Sequence, residues 1–215
     1  MVMRLRHIGR DQSGTTTIEF TIVALLFLLL TFGLVEFGNM FWQYNSAAKA
    51  AQLGARLAAV SNPVWGELVN LESTGTPGSA WEIDYTVTCD GEDEDCTDLG
   101  EGEYDDEAME CLVFGRSQAT PPCDTECDPA GIDAEEAGMC DRFARIAPEN
   151  VIVTYSHTGL GFAGRPGGPV PTVTLQLTGL QFEFLALGDL LGLQDITMPP
   201  FTVTMTGEDL SRLAP

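Results

Sequence analysis

Cysteines, clustered carboxylates and isolated glutamates are the residues of this chain whose types and spacing could do chemistry. All six cysteines, Cys89, Cys96, Cys111, Cys123, Cys127 and Cys140, fall within 89–140. An even number gathered in one segment suits disulfides in an oxidising compartment. Spacing does not choose among the possible pairings; the most local set, Cys89–Cys96, Cys111–Cys140 and Cys123–Cys127, is the expectation. Structural zinc competes poorly, because CDTEC has the wrong spacing for a zinc knuckle and His157 is the only histidine beyond the first ten residues. From Asp90 to Glu110 stand twelve acids and no base. Asp93, Asp95 and Asp98 alternate as calcium ligands do, making them the candidate metal residues. The loop nevertheless lacks the sixth-position glycine and terminal glutamate of an EF-hand, so it reads as a solvated face with no cofactor. Carboxylates this numerous do not single out a general acid and base. His157, at a strand end beside a loop, reads as a solvated turn histidine, and GLGFAGRPGG lacks the lysine of a phosphate-binding loop. Catalysis therefore finds no residues, and the chain reads as not an enzyme.

Glu19 poses a different problem. It opens an apolar run, and a carboxylate near the centre of a membrane helix costs roughly 2.5–3.5 kcal/mol or more. From Phe20 to Val35 sixteen residues carry no charge, and Phe20–Trp42 is 23 residues, long enough to span a bilayer. Phe41, Trp42 and Tyr44 would form an interfacial aromatic belt, with Glu36 near the outer interface and Glu19 near the inner one. Arg4, Arg6 and Arg10 precede the run with Asp11 the only acid, whereas thirty-one of the 32 acids follow. The positive-inside rule then leaves the N-terminus cytoplasmic and carries the rest across. A cleaved secretory signal fits poorly, because the apolar stretch is too long and lacks a small-residue cleavage site close behind it. A net charge of −22 argues against nucleic acid, which needs a basic footprint.

These residues need elements to position them. Helical spacing continues past the membrane run through FWQYNSAAKAAQLGARLAAVSNP. Asn45, Lys49, Gln52 and Arg56 form a polar stripe, and Ser46, Ala50, Leu53, Leu57 and Val60 an apolar one. Pro63 should stop the helix near Ser61. A helix from about Thr16 to Val60 is roughly 65 Å long, twice a bilayer core of about 30 Å, so its outer half must be covered by its own domain or by neighbouring helices. The Gly, Pro, Ser and Thr of 73–79 mark a connector. WEIDYTVT (81–88) alternates as a half-buried strand. Further strands are expected over Asn150–Ser156, Pro171–Gly179 and Phe201–Thr206, with HTGLGFAGRPGGPV a long hairpin loop. LQFEFLAL (180–187) extends the third strand or turns into a short helix. Met139, Phe143 and Ile146 place a helix over Ala134–Pro148. The fold class is α+β: a long N-terminal transmembrane helix, then a small, mostly antiparallel β-sheet domain with a disulfide-rich acidic insert. The divisions are a leader at 1–14, the helix at 15–62, a linker at 63–80, and an extracytoplasmic domain at 81–215 holding the insert, 89–140.

Gly14-Thr15-Thr16-Thr17-Ile18-Glu19-Phe20, behind a basic leader, resembles the processing site of type IV prepilins. The resemblance implies cleavage between Gly14 and Thr15 by a membrane prepilin peptidase. Glu19 would become the fifth residue of the mature chain and pair with the N-terminal amine of a neighbouring subunit, with Phe20 beside it. GTTTIEFTIVALLFLLLTFGLVEFGNMF, with the looser VIVTYS, PTVTLQLTG and FTVTMTGEDL, is similar to the TadE-like family, minor pseudopilins of tight-adherence pilus systems. That family implies an inner-membrane, single-pass protein of bacteria whose partners are the peptidase, other pilin or pseudopilin subunits and pilus assembly proteins. The acidic six-cysteine insert departs from the pattern. Two other readings stay open: a signal-anchored, disulfide-stabilised adhesion or binding module that never assembles, and an anchored hydrolase with an unrecognised carboxylate site.

Overall fold

The computed structural model describes residues 13–97, 103–116, 123, 126–127, 136–165, 169–185, 188, 192 and 196–207. Arg4, Arg6, Arg10 and Asp11 of the expected leader, and Asp98 of the acidic block, lie outside the described residues. The contacts divide the chain into two compact units, Met1–Trp42 with Glu183–Asp195, and Gln43–Phe182 with Ile196–Pro215.

In the first unit, helix α1 begins at Ser13; the helix as a whole is Ser13–Val60, 48 residues. Among the described residues it is the one helix long and apolar enough to cross a membrane, and none of its apolar window is buried within the protein. Threonines in such a run are tolerated because their hydroxyls donate back to the helix: Thr21 Oγ1 to Thr17 O at 2.8 Å and Thr31 Oγ1 to Leu28 O at 2.9 Å.

The second unit is built on a five-stranded antiparallel sheet, ordered β2-β1-β5-β6-β9. Its strands are β1 (Thr86–Asp90), β2 (Asp95–Thr97), β5 (Val151–Ser156), β6 (Thr172–Leu177) and β9 (Phe201–Thr206). Alternation decides the two faces. Val87, Cys89, Val153, Tyr155, Val173 and Leu175 point inward and are buried. The other face carries a threonine row that crosses every strand: Thr97, Thr88, Thr154, Thr174 and Thr204 are successive register partners. Thr88 bonds Thr154 at 3.1 Å and Thr174 bonds Thr204 at 3.0 Å through their hydroxyls. Four short strands lie outside this sheet in two pairs: β3 (Gly115–Arg116) with β4 (Glu136–Ala137), and β7 (Gln181–Phe182) with β8 (Ile196–Thr197). The 180–187 stretch thus neither extends β6 nor forms a helix at 181–182.

The expected strands over 150–156, 171–179 and 201–206 are present, and the intervening loop joins β5 to β6 as a hairpin. The strand expected at 81–88 is displaced: Trp81 and Tyr85 are buried in alternation, but ladder pairing begins only at Thr86. Its partner β5 ends at Ser156, and one further bond, His157 N to Tyr85 O at 3.0 Å, closes the edge.

Helix α1 ends at Val60, where Ser61 N and Oγ both donate to Leu57 O and Pro63 follows. From Gln43 onward its buried face is made of Ala47, Ala50, Ala51, Gly54, Ala55 and Ala58. Of the apolar stripe expected from Ser46, Ala50, Leu53, Leu57 and Val60, Ala50 is buried, Ser46 and the two leucines are half-buried and Val60 is exposed, so the inner face is rotated from it. The smallest side chains win the inner face because they let the helix lie close against the sheet side chains. At Gly54 an added Cβ would strike Met139 and come within 3.0 Å of Leu175 Cδ1. Lys49, Gln52 and Arg56 face solvent.

The acidic block contains a helix the sequence reading lacked, α2 (Asp106–Phe114). Asp105 caps it, its Oδ1 accepting from Ala108 N at 3.0 Å, and Asp106 and Glu107 sit in the first turn, where the helix dipole favours anions. Ala108, Met109, Leu112 and Val113 are its buried stripe. The signal was present as Asp105 followed by helically spaced apolar residues, but the density of acids hid it. The helix expected over 134–148 is absent from the described part; single turns replace it at 139–146. Its amide groups are already taken: Met139 N donates to Leu112 O and Cys140 N to Val113 O, capping the free carbonyls at the end of α2. Gly138 permits this approach, since a Cβ there would strike the backbone of Phe114 and Gly115. Met139, Phe143 and Ile146 are nevertheless core residues, as their spacing implied.

All six cysteines are paired, as Cys89–Cys96, Cys111–Cys123 and Cys127–Cys140, with Cα separations of 4.0, 5.0 and 5.6 Å. The first matches the expected local pair and joins directly opposed residues of β1 and β2. The other two correct it. The segments of Cys111 and Cys140 are held together by backbone bonds, and their thiols tie Cys123 and Cys127 to this junction.

Candidate functional site

Gly14, Thr15, Glu19 and Phe20 occupy the first turns of α1, and all four are exposed. Around Gly14 an added Cβ would meet nothing within 4 Å. Glycine is a poorer helix former than alanine, and no contact among the described residues calls for it here. Glu19 makes no hydrogen bond or ion pair with any described residue, and Phe20 is 72% exposed. Among the described residues, the carboxylate and the aromatic ring at the mouth of this uncovered apolar helix have no side-chain partners.

Glu36, on the same helix, has the opposite environment. It is 4% exposed, and its Oε2 accepts from Leu185 N at 2.9 Å. Three residues on, Asn39 Nδ2 donates to Glu183 O at 3.1 Å. The sequence set Glu36 near an interface; the structure adds a backbone partner 149 residues away, which no local pattern could announce.

The remaining candidates do not assemble into a reactive site. Asp93 on the β1–β2 turn and Asp95 at the start of β2 are exposed, and between them Glu94 takes a positive φ of 51°. Among the described residues no three His, Cys, Asp or Glu converge to hold a metal ion. A cleft of about 290 Å³ lies beside this turn, lined by Glu94, Tyr104, Asp106 and Glu110 among others. Burial first, and then the nearby Asp106 and Glu94 carboxylates, push the Tyr104 phenol above its ordinary range. His157 is not solvated: its side chain is 6% exposed, its ring lies 6.0 Å from that of Tyr85, and Nδ1 is 3.2 Å from the exposed Asp84 Oδ1. Its neighbour Ser156 directs its hydroxyl away, to Thr172 O, and the six cysteines are all in disulfides.

A buried chain of hydrogen bonds ties the sheet, the connector and the insert together. Tyr155 Oη accepts from Val64 N at 3.0 Å, and Val64 O accepts from Asp105 N at 2.8 Å, immediately before α2. Val64, Trp65 and Leu68, at the start of the 63–80 stretch, belong to the core, while Ser73–Ser79 forms the loop. Arg145 adds a second tie, donating to Gln43 Oε1 at 2.9 Å and Gln181 O at 3.1 Å.

No curated protein and no solved structure matches the chain. A family model described as TadE-like protein matches residues 14–56. The match begins at the open glycine, takes in the uncovered apolar run, and ends on the alanine face of α1. Its members are structural proteins with no catalytic role, in keeping with a membrane-type helix joined to a disulfide-bonded domain. Over residues 14–56, the N-terminal fifth of the chain, the protein is similar to the TadE-like family.

Proposed function

We propose that the chain is a minor pseudopilin of a tight-adherence, type IVb-like pilus or secretion system. Residues 1–14 are its leader, removed by prepilin peptidase between Gly14 and Thr15 on the cytoplasmic side. The helix of 15–62 holds the mature protein in the bacterial inner membrane with its N-terminus cytoplasmic. The domain of 81–215 lies in the periplasm or at the cell surface. Other pilin or pseudopilin subunits and membrane assembly proteins are its partners. The observation that carries the reading is the isolation of Glu19, exposed beside Phe20 and without a side-chain partner among the described residues. A carboxylate in that position needs a positive group from elsewhere once the helix is in lipid, and the amine freed at Thr15 of a neighbouring subunit supplies one.

The test separates processing from assembly. Gly14→Val should leave the leader attached while the protein still inserts, because the apolar run is intact. Glu19→Ala should insert and be cleaved, yet fail to enter filaments or partner complexes. Losing one member of a buried ion pair costs about 3–5 kcal/mol. The readouts are the mass of the membrane-extracted protein and its recovery with sheared filaments or co-purified partners. Cleaved Glu19→Ala protein that assembles at wild-type level would overturn the mechanism in favour of a signal-anchored binding module.

A further inference from the structure

Glu36 and Leu185 solve a problem that neither solves alone. Glu36 follows Glu19 along α1 by about 25 Å at 1.5 Å per residue. With Glu19 at the inner boundary of a hydrocarbon layer of about 30 Å, Glu36 falls inside the outer boundary. A carboxyl group at that depth needs a donor, and a backbone N–H at that depth needs an acceptor. The 2.9 Å bond from Leu185 N to Glu36 Oε2 satisfies both, and Asn39 holds Glu183 O one turn further out. Around this clamp the helix surface is apolar and uncovered: Leu34, Val35 and Phe37 are all exposed. The side chain carried on the clamped backbone is apolar as well, and Leu185 is 63% exposed.

We propose that Glu183–Leu185 is a second membrane contact, fastened to α1 by Glu36 and Asn39, with Leu185 seated among the lipids of the outer leaflet. The occupant of this surface is the bilayer. Leu185 sits at the same helical level as Leu34, Val35 and Phe37, so a bilayer that covers those side chains reaches Leu185 too. Glu183 marks where the segment leaves the lipid: its side chain is exposed, while its carbonyl is held by Asn39 toward the outer end of the run. The contact makes the membrane a two-point support, in which a residue remote in sequence reports the depth of the helix. It rests on the membrane-spanning reading of α1.

Tryptophan emission can locate both points in the full-length protein. Trp65 and Trp81 are buried and supply a constant background, whereas Trp42 is 64% exposed on α1. Three forms are placed in vesicles of phosphatidylethanolamine and phosphatidylglycerol, with or without phosphatidylcholine brominated close to the headgroup end of its acyl chains. They are wild type, Trp42→Phe, and Trp42→Phe with Leu185→Trp. Position 185 is open enough for the larger ring. The emission that Leu185→Trp adds over Trp42→Phe should be quenched to within roughly twofold of that which Trp42 adds. Adding Glu36→Ala should lower the quenching at 185 by roughly twofold or more while leaving a wild-type-derived Trp42 signal in place. If Trp42 is quenched by bromolipid but the 185 signal responds only to aqueous iodide, the second contact is wrong and the membrane helix stands. Quenching at neither position overturns both. Quenching at 185 that ignores Glu36→Ala overturns the clamp.

Discussion

A single missing methyl group decides how α1 meets the sheet. Gly54 lies where any Cβ would strike Met139 and crowd Leu175, so the helix depends on glycine there despite its poor helix propensity. Gly54→Ala should destabilise the domain by about 1–3 kcal/mol through overpacking, although alanine is the better helix former. Urea unfolding would measure this. In a Met139→Ala background the space is already vacant, so the added cost of Gly54→Ala should largely vanish; equal costs in both backgrounds would refute the contact. Gly14 illustrates the reverse case. No neighbour opposes a Cβ there, and the same substitution at Gly14 should leave the folded domain's stability unchanged.

At the scale of elements, α2 shows how a highly charged segment can still fold. Its acids fall at the N-terminal cap and first turn, where free N–H groups attract them, and its apolar residues fall on one face. Removing the cap with Asp105→Ala should cost about 1 kcal/mol, and Asp105→Asn should recover most of it, because an amide oxygen can still accept from Ala108 N. A thermal or urea midpoint for the three proteins would check the order. The disulfides act on the same element: Cys111, on α2, is tied to Cys123, and the segment of Cys140 that caps the end of α2 is tied to Cys127. Crosslinks of this loop size are worth roughly 2–4 kcal/mol each in the chain-entropy model.

The molecule as a whole should be stable to mild alkali and fail abruptly beyond it. Burial raises the phenols of Tyr85, Tyr104 and Tyr155 above their ordinary value of 10.0. The folded state therefore holds protons that the unfolded chain releases once the pH passes about 10. The stabilisation from keeping these phenols neutral is fully present below that pH and is lost as the pH climbs toward the folded values. Unfolding midpoints should be level from neutrality to about pH 10 and decline above it. Tyr155→Phe should lower stability at neutral pH by about 1–3 kcal/mol, since Val64 N loses a buried acceptor, while making the alkaline decline shallower. A decline that starts well below pH 10, or one unaffected by Tyr155→Phe, would contradict this account.

What the sequence determined by itself was whatever depends on neighbours along the chain. The apolar run Phe20–Trp42, sixteen of whose residues pass without a charge after Glu19, is of membrane length whatever the tertiary setting. Pro63 ends that helix through its own ring, and the period-two runs at Val151–Ser156, Thr172–Leu177 and Phe201–Thr206 are strands because one face must be dry. Gly14 and Glu19 were legible as a candidate site because their spacing is local and nothing folded upon them. The tertiary structure decided everything that depends on which distant groups arrive first. It set alanines rather than leucines against the sheet, since close approach to Met139 and Leu175 outweighs side-chain hydrophobicity. It turned 139–146 away from helix because the carbonyls of α2 claimed its amides. It joined Cys111 to Cys123 and Cys127 to Cys140, against the most local choice, which spacing along the chain does not encode. It also gave Glu36 the amide of Leu185: a buried carboxyl takes the donor that the fold delivers, and no spacing along the chain encodes a partner 149 residues away.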